Sequence, residues 1–425
     1  MPENTDILQQ LGLDLERHCK LLTVLNDSYS EVFPKQQSRP HGMDYFDRMH
    51  RDLYSSRIKE LVEHKEKGGT VVGTFCPFVP EEIIDAVGGI SVRLEGGMQL
   101  PIADAETILP SDLCPMIKSS LGFKLGKINP YFEIVDLFIG ETTCDGKKKV
   151  WEILNNYAPT YVVELPQKKC QMDRELWLKE LVSLKEKIEV ISGVKITAES
   201  LAQSIKVFNA KRKAMAELHA LRRKKPPPIS GKDASLISQI ACYDDAQRFT
   251  NRVNELCGEL EERVIRGEGI VVHDASRIMI TGCPMALPNW KLHHLIETTG
   301  AVVVCEDTCS GARYFMDPIV FEESTSVMKQ IKAIADRYLN IPCPCFTPGY
   351  CGVLQTTQMA KDYKIDGVVY YVLQFCHSFN VEYYKVERFL KEAGIPVLRV
   401  QIDYSEEDIG QLKTRIEAFL EMLKV

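Results

Sequence analysis

Apolar runs of strand length alternate with amphipathic stretches over most of this chain. GTVVGTF (69–75) is a β-branched run bounded by glycines, the pattern of a buried strand. PEEIIDAVGG (80–89) follows as a helix that starts at Pro80, carries acidic residues in its first turn and ends on glycine. IVDLFIG (134–140) and TYVVEL (160–165) repeat the strand pattern, with the helical GKKKVWEILNNY between them. The alternation returns after residue 270 in SRIMITG (276–282), GAVVVCE (300–306), DGVVYYVLQF (366–375) and IPVLRVQID (395–403). The amphipathic IGQLKTRIEAFLEML closes the chain. Strands that alternate with helices predict parallel sheets covered on both faces.

Two other stretches lack the strand pattern. The first 60 or so residues read as amphipathic helix, and residues 172–266 carry helical periodicity broken by the Pro-rich PPPISG (226–231). The expected fold class is α/β, with two doubly wound, flavodoxin- or Rossmann-like parallel-sheet domains. The expected boundaries are 1–65 for an N-terminal helical segment, 66–170 for the first α/β domain, 171–268 for an inserted helical segment and 269–425 for the second α/β domain. The basic run Arg222–Lys225 reads as a solvated helix end set against the helix dipole, not as a binding patch.

Composition narrows the function. A formal charge of −7 argues against gripping nucleic acid through bulk electrostatics. No apolar run approaches the ~18 residues that span a bilayer. The N-terminal MPENTDILQQLGLDLERH lacks the apolar core of a signal peptide, so a cytoplasmic protein free of the membrane is expected. Fourteen cysteines against nine histidines then need a reason. Disulfide frameworks belong to short secreted domains. No C-x-x-C knuckle suggests zinc, and no C-x₂-C-x₂-C run suggests a bacterial ferredoxin. No G-x-G-x-x-G follows a strand, and GFKLGK (122–127) is one residue short of a phosphate-binding loop, so nucleotide binding has no support.

The cysteines are not scattered at random. Cys76, Cys144, Cys283, Cys309 and Cys376 lie at or just past the carboxyl ends of expected strands, where open parallel sheets bind ligands. Cys114 and the Cys343–Cys345 pair lie in Pro-containing loops that can present a thiolate. Cys19, Cys170, Cys242 and Cys257 fall in helices or at a helix start and read as ordinary thiols, as do Cys305 in a strand and Cys351 in a turn. The pattern predicts a thiolate-rich cleft between two domains. Soft thiolates without paired histidines select iron–sulfur clusters or soft metals, with a redox thiol site as the alternative.

The segments GTFCPFVPEEII, LPSDLCPMIKSSLGF, GETTCDGKKKVWEIL, ITGCP, EDTCSGAR, YLNIPCPC and DGVVYYVLQFCHSFNVE occur in the order of one family. Over residues 65–425 the chain resembles the 2-hydroxyacyl-CoA dehydratase D-component superfamily, which includes benzoyl-CoA reductase subunits. Its additional cysteines make it most similar to the double-cubane cluster proteins. That resemblance implies a homodimer with a double-cubane [8Fe–9S] cluster, two [4Fe–4S] cubanes bridged by sulfide and held by six cysteines. It also implies electrons from an ATP-hydrolysing iron–sulfur reductase of actin/Hsp70-like fold, and reduction of small molecules. The alternative within the family is a dehydratase subunit with a single [4Fe–4S] cluster. Cys114, Cys144 and Cys376 match the single-cubane pattern; Cys283, Cys309 and Cys345 complete the six, with Cys76 and Cys343 in reserve.

Proton donors are less marked. His377 adjoins Cys376 and could supply a proton or a hydrogen bond, or could simply bond to backbone at a strand end. Glu141 is the second candidate; for Glu141 and Asp145, which flank Cys144, the plainer role is helix capping. Lys147–Lys149 oppose the dipole in the first turn of that helix and could face an anionic cluster, and Lys118 near Cys114 has the same ambiguity.

Overall fold

A computed structural model describes residues 4–271, 274–323 and 326–424. Among these residues, eight strands form two four-stranded parallel sheets. The first sheet contains β1 (Val71–Thr74), β2 (Ile90–Arg93), β3 (Leu137–Glu141) and β4 (Thr160–Val163) in the order β2-β1-β3-β4. The second contains β5 (Arg277–Gly282), β6 (Val302–Asp307), β7 (Gly367–Leu373) and β8 (Val397–Ile402) in the order β6-β5-β7-β8. Register pairs Val72 with Leu137 across β1/β3, and Ile278 with Gly367 across β5/β7. Each sheet thus begins in its middle and winds outward both ways, so its order reverses at β1/β3 or at β5/β7. Crevices beyond the strand ends open at such reversals.

The seven expected strands are present, each shorter than its apolar run because the ends bend away. Ile134, for example, closes the short helix Tyr131–Ile134 and does not start β3. β2 was not expected: ISVR is four residues long, half of it only partly buried, and it pairs with β1 alone. The N-terminal segment is four helices, Thr5–Gln10, Leu15–Val32, Met43–Asp52 and Ser56–Glu66.

The helices between the sheets act as a common wall. Ala198–Leu221 packs on Ala246–Ile265, Gln171–Ser192 packs on Val327–Leu339, and every residue of Gly231–Ile240 is buried. Buried polar contacts tie this wall to both sheets. Arg212 donates to Glu82, which also accepts from Tyr338 Oη at 2.8 Å, while Glu81 accepts from Tyr314 Oη at 2.6 Å. Arg222 corrects the expectation of a solvated helix end. It is fully buried, because its guanidinium reaches β6, where it donates to the Val303 carbonyl and is the partner that the buried Glu306 requires. No helix among the described residues is long and apolar enough to cross a membrane.

Candidate metal centre

The carboxyl ends of the two sheets face one cavity of about 370 Å³, and all eight candidate cysteines line it. Cys76 follows β1, Cys144 follows β3, Cys283 follows β5, Cys309 follows β6 and Cys376 follows β7. Cys114, Cys343 and Cys345 reach the same space from loops. Cys19, Cys170, Cys242, Cys257, Cys305 and Cys351 do not line it, in keeping with their ordinary reading. Cys351 lies in the first turn of the helix Tyr350–Asp362, not in a turn.

Three of the cysteines stand at helix starts. Cys114 precedes Pro115–Leu125, Cys144 precedes Asp145–Leu154 and Cys376 precedes His377–Glu392. Cys144 Sγ accepts the Lys147 backbone N–H at 3.5 Å, so the cap on this helix is the thiol. Asp145, one residue on, pairs with Lys148 at 2.8 Å on the surface. A helix start concentrates partial positive charge and favours a thiolate or an anionic group over it. Cys283 Sγ accepts from the Leu373 N–H at 3.4 Å. Gly282 makes this approach possible: its φ is 131°, and a Cβ there would fall 1.9 Å from the Tyr371 carbonyl.

The thiols fall into two contact groups. Cys114 and Cys376 lie close enough to shift each other's thiol, Cys376 feels Cys283 in turn, and Cys144 feels the charge of Cys114. Cys343 lies close enough to Cys345 for its own thiol to be raised, Cys309 feels the charge of Cys343, and Cys76 feels that of Cys309. The contact with Cys376, then burial, holds the Cys114 thiol well above its ordinary value. Cys376 gains thiolate character from Cys114, but its contact with Cys283 and its burial outweigh this. Burial pushes Cys309 up to about 12. Without a cation these groups hold their protons, so binding a metal cluster would release them. No three Cys, His, Asp or Glu side chains among the described residues converge as a single-ion site. Thiols spread around the walls suit a cluster, whose irons take separate thiolates.

The remaining candidates divide. His377 is exposed and lines the cavity at the start of its helix. Glu141 is buried at the end of β3, pairs with Lys147 and accepts from Thr143 Oγ1 at 3.2 Å; its Oε2 has no partner among the described residues. Lys147 lines the cavity, while Lys149 pairs with Glu152 at the surface. Lys118 braces the loop before Cys114, donating to Glu106 at 2.7 Å and the Ser111 carbonyl at 2.6 Å. Two residues not singled out in the sequence also belong here. Phe375 lines the cavity with a left-handed backbone (φ 59°), strained for an aromatic residue, and it aims Cys376 inward. Glu95 lies on the buried wall, and its signal was a lone carboxylate in the apolar, glycine-flanked ISVRLEGG.

Comparison with known proteins identifies the family of the chain. The profile of the family described as 2-hydroxyglutaryl-CoA dehydratase, D-component, matches residues 76–423. The chain is 36% identical over 366 residues to Escherichia coli (strain K12) YjiM, provisionally named a dehydratase subunit, over 85% of this chain and 94% of that protein. It is 24% identical to the (R)-phenyllactyl-CoA dehydratase beta subunit of Clostridium sporogenes, over 88% of this chain and 97% of the relative. Against a benzoyl-CoA reductase subunit of Thauera aromatica it is 25% identical, over 59% of this chain and 64% of the relative. The chain belongs to the 2-hydroxyglutaryl-CoA dehydratase D-component family.

Proposed function

We propose that this protein is an ATP-dependent, low-potential reductase component that carries a double-cubane [8Fe–9S] cluster between its two sheets and reduces small unsaturated molecules. The observation that carries this reading is eight thiols on one cavity, in two contact groups, where a single cubane needs about four ligands at most. The donor set fits such a cluster: soft thiols, three of them on helix starts, with the Lys147 ammonium beside them. Cys114, Cys144, Cys283, Cys309, Cys345 and Cys376 are the proposed ligands. Because Cys283 lies with Cys114 and Cys376, the reserve Cys343 gains a claim beside Cys309 and Cys345; Cys76 remains a lining residue.

When bound, the cluster would supply electrons at low potential. The chain's own groups would enclose it, compensate its charge and deliver protons, with His377 placed to donate at the rim. A homodimer and a docking ATP-hydrolysing iron–sulfur reductase complete the proposed system, and the reaction is placed in the cytoplasm. The relatives named as dehydratase subunits favour a second reading, a 2-hydroxyacyl-CoA dehydratase subunit with one [4Fe–4S] cluster.

Anaerobic purification followed by iron and acid-labile sulfide analysis separates the two, at about eight irons per chain against about four. A colourless protein holding zinc would sink both. Substrate reduction should require the reductase, a strong reductant and hydrolysable ATP together. Equal turnover without the reductase, or with a non-hydrolysable ATP analogue, would refute the coupling.

A further inference from the structure

Reducing a multiple bond consumes protons as well as electrons. Each two-electron step breaks one π bond and makes two bonds to hydrogen, the electrons arriving from the external reductase and the protons from solvent. Exposure falls across the cavity: Cys144, Cys345, Cys376 and His377 are partly or fully exposed, whereas Cys76, Cys114, Cys309 and Glu95 are buried. A group seated among the thiols would cover that buried wall from the mouth.

Glu95 stands on this wall and is only 6% exposed, and its Oε1 has no hydrogen-bond partner among the described residues. It borders three cavities at once. One is the cysteine-lined cavity. The second, about 10 Å³, is shared with Tyr54, Asn129 and Tyr243. The third, about 20 Å³, is shared with Arg93, Gln239 and Ser310. One water needs roughly 10–15 Å³ of such space and two to four polar partners. The second cavity has room for about one water and the third for at least one, each with polar groups on its wall. Tyr54 and Leu25 also line an outer pocket together with Asn26 and Arg51, both exposed. Polar groups therefore run from the surface through Tyr54 to Glu95 and on to the thiols.

We infer that Glu95 and the small cavities behind it form a proton inlet to the buried wall of the cysteine-lined cavity, entering from the side of the N-terminal helices. This rests on the reductase reading and adds a second entrance, remote from His377. The charged groups coupled to Glu95 are Arg93, Lys147 and Glu141. Arg93 is engaged elsewhere, donating to the Cys309 carbonyl at 3.4 Å and lying over the Tyr314 ring. Among the described residues Tyr54 Oη has one weak partner, accepting from Asn129 Nδ2 at 3.5 Å, so its hydroxyl can be removed with little structural loss.

The test compares wild type, Glu95→Gln and Tyr54→Phe, all purified anaerobically. Iron and sulfide contents check the underlying reading; a wild type without a cluster ends that reading and the inlet with it. Proton uptake on chemical reduction is followed with a pH indicator in weak buffer. Infrared difference spectra of reduced against oxidised protein report carboxyl groups. With iron content and visible spectrum unchanged, Glu95→Gln should slow uptake by about a hundredfold and remove a carboxyl band. Tyr54→Phe should slow uptake less and keep the band. Wild-type uptake in both variants, or a carboxyl band that survives in Glu95→Gln, overturns the inlet. If Glu95→Gln loses its iron, Tyr54→Phe decides: uptake at the wild-type rate overturns the inlet, and slowed uptake supports it.

Discussion

Arg222→Met tests how the inserted helices hold β6, the strand that leads to Cys309. Arg222 is 0% exposed and grips Glu306 with both terminal nitrogens, Nη1 to Oε2 at 2.6 Å and Nη2 to Oε1 at 2.7 Å. Nη2 also donates to the Val303 carbonyl at 2.9 Å, and the remaining side-chain contact of Glu306 is His293 Nε2 at 3.0 Å. Methionine keeps much of the apolar stem and leaves the carboxylate buried without its cation. Removing one side of such a pair costs about 3–5 kcal/mol, a large share of the 5–15 kcal/mol that ordinarily separates folded from unfolded chains. Urea unfolding followed by the buried tryptophans should show this loss. Arg222→Met combined with Glu306→Gln should cost less than the two single changes added together, by roughly 1–3 kcal/mol. The pH dependence has a definite sign. Burial alone would raise the Glu306 carboxyl, but Arg222 overrides it and holds the group well below the usual carboxylate range. The pair therefore contributes fully above the unfolded glutamate value near ~4.3, and its contribution fades as pH falls below that toward the folded value. Arg222→Met should flatten this acid limb. A loss below about 1 kcal/mol, or an acid limb unchanged in the variant, would refute the reasoning.

Cys144→Ala and Cys376→Ala should halve or abolish bound iron, whereas Cys170→Ala and Cys257→Ala should leave it intact; equal losses in both classes would show that position at a strand end means nothing. Gly282→Ala should separate β5 from β7, since its Cβ would lie 1.9 Å from the Tyr371 carbonyl, and should cost both thermal stability and iron; wild-type iron content would count against the close approach. Lys147→Gln removes a partly buried cation beside Cys144 and should make the cluster harder to reduce, seen as a more negative midpoint in a redox titration; an unchanged midpoint would assign Lys147 to Glu141 alone.

Strand and helix alternation, and cysteines at strand ends, were legible in the sequence because both are local. A buried parallel strand announces itself by an unbroken β-branched run, and whatever follows it is carried to the sheet edge where ligands bind. Cys76, Cys144, Cys283, Cys309 and Cys376 could be placed on that ground, with Cys114, Cys343 and Cys345 added from their Pro-containing loops. β2 escaped because four residues, two of them only partly buried, carry too little pattern, and Arg222 escaped because a basic run at a helix end looks the same whether solvent or Glu306 meets it.

What only the tertiary structure decided is which groups meet. The approach of Cys114 to Cys376 depends on how two sheets far apart in sequence face each other, and that of Cys309 to Cys343 on where a distant loop of the second half comes to rest. The place of Glu95 beside three cavities depends on walls formed by residues as distant as Tyr54, Gln239 and Ser310. Local periodicity reports which way a side chain leaves its own strand or helix, whereas proximity across a cavity is set by the packing of all the elements at once.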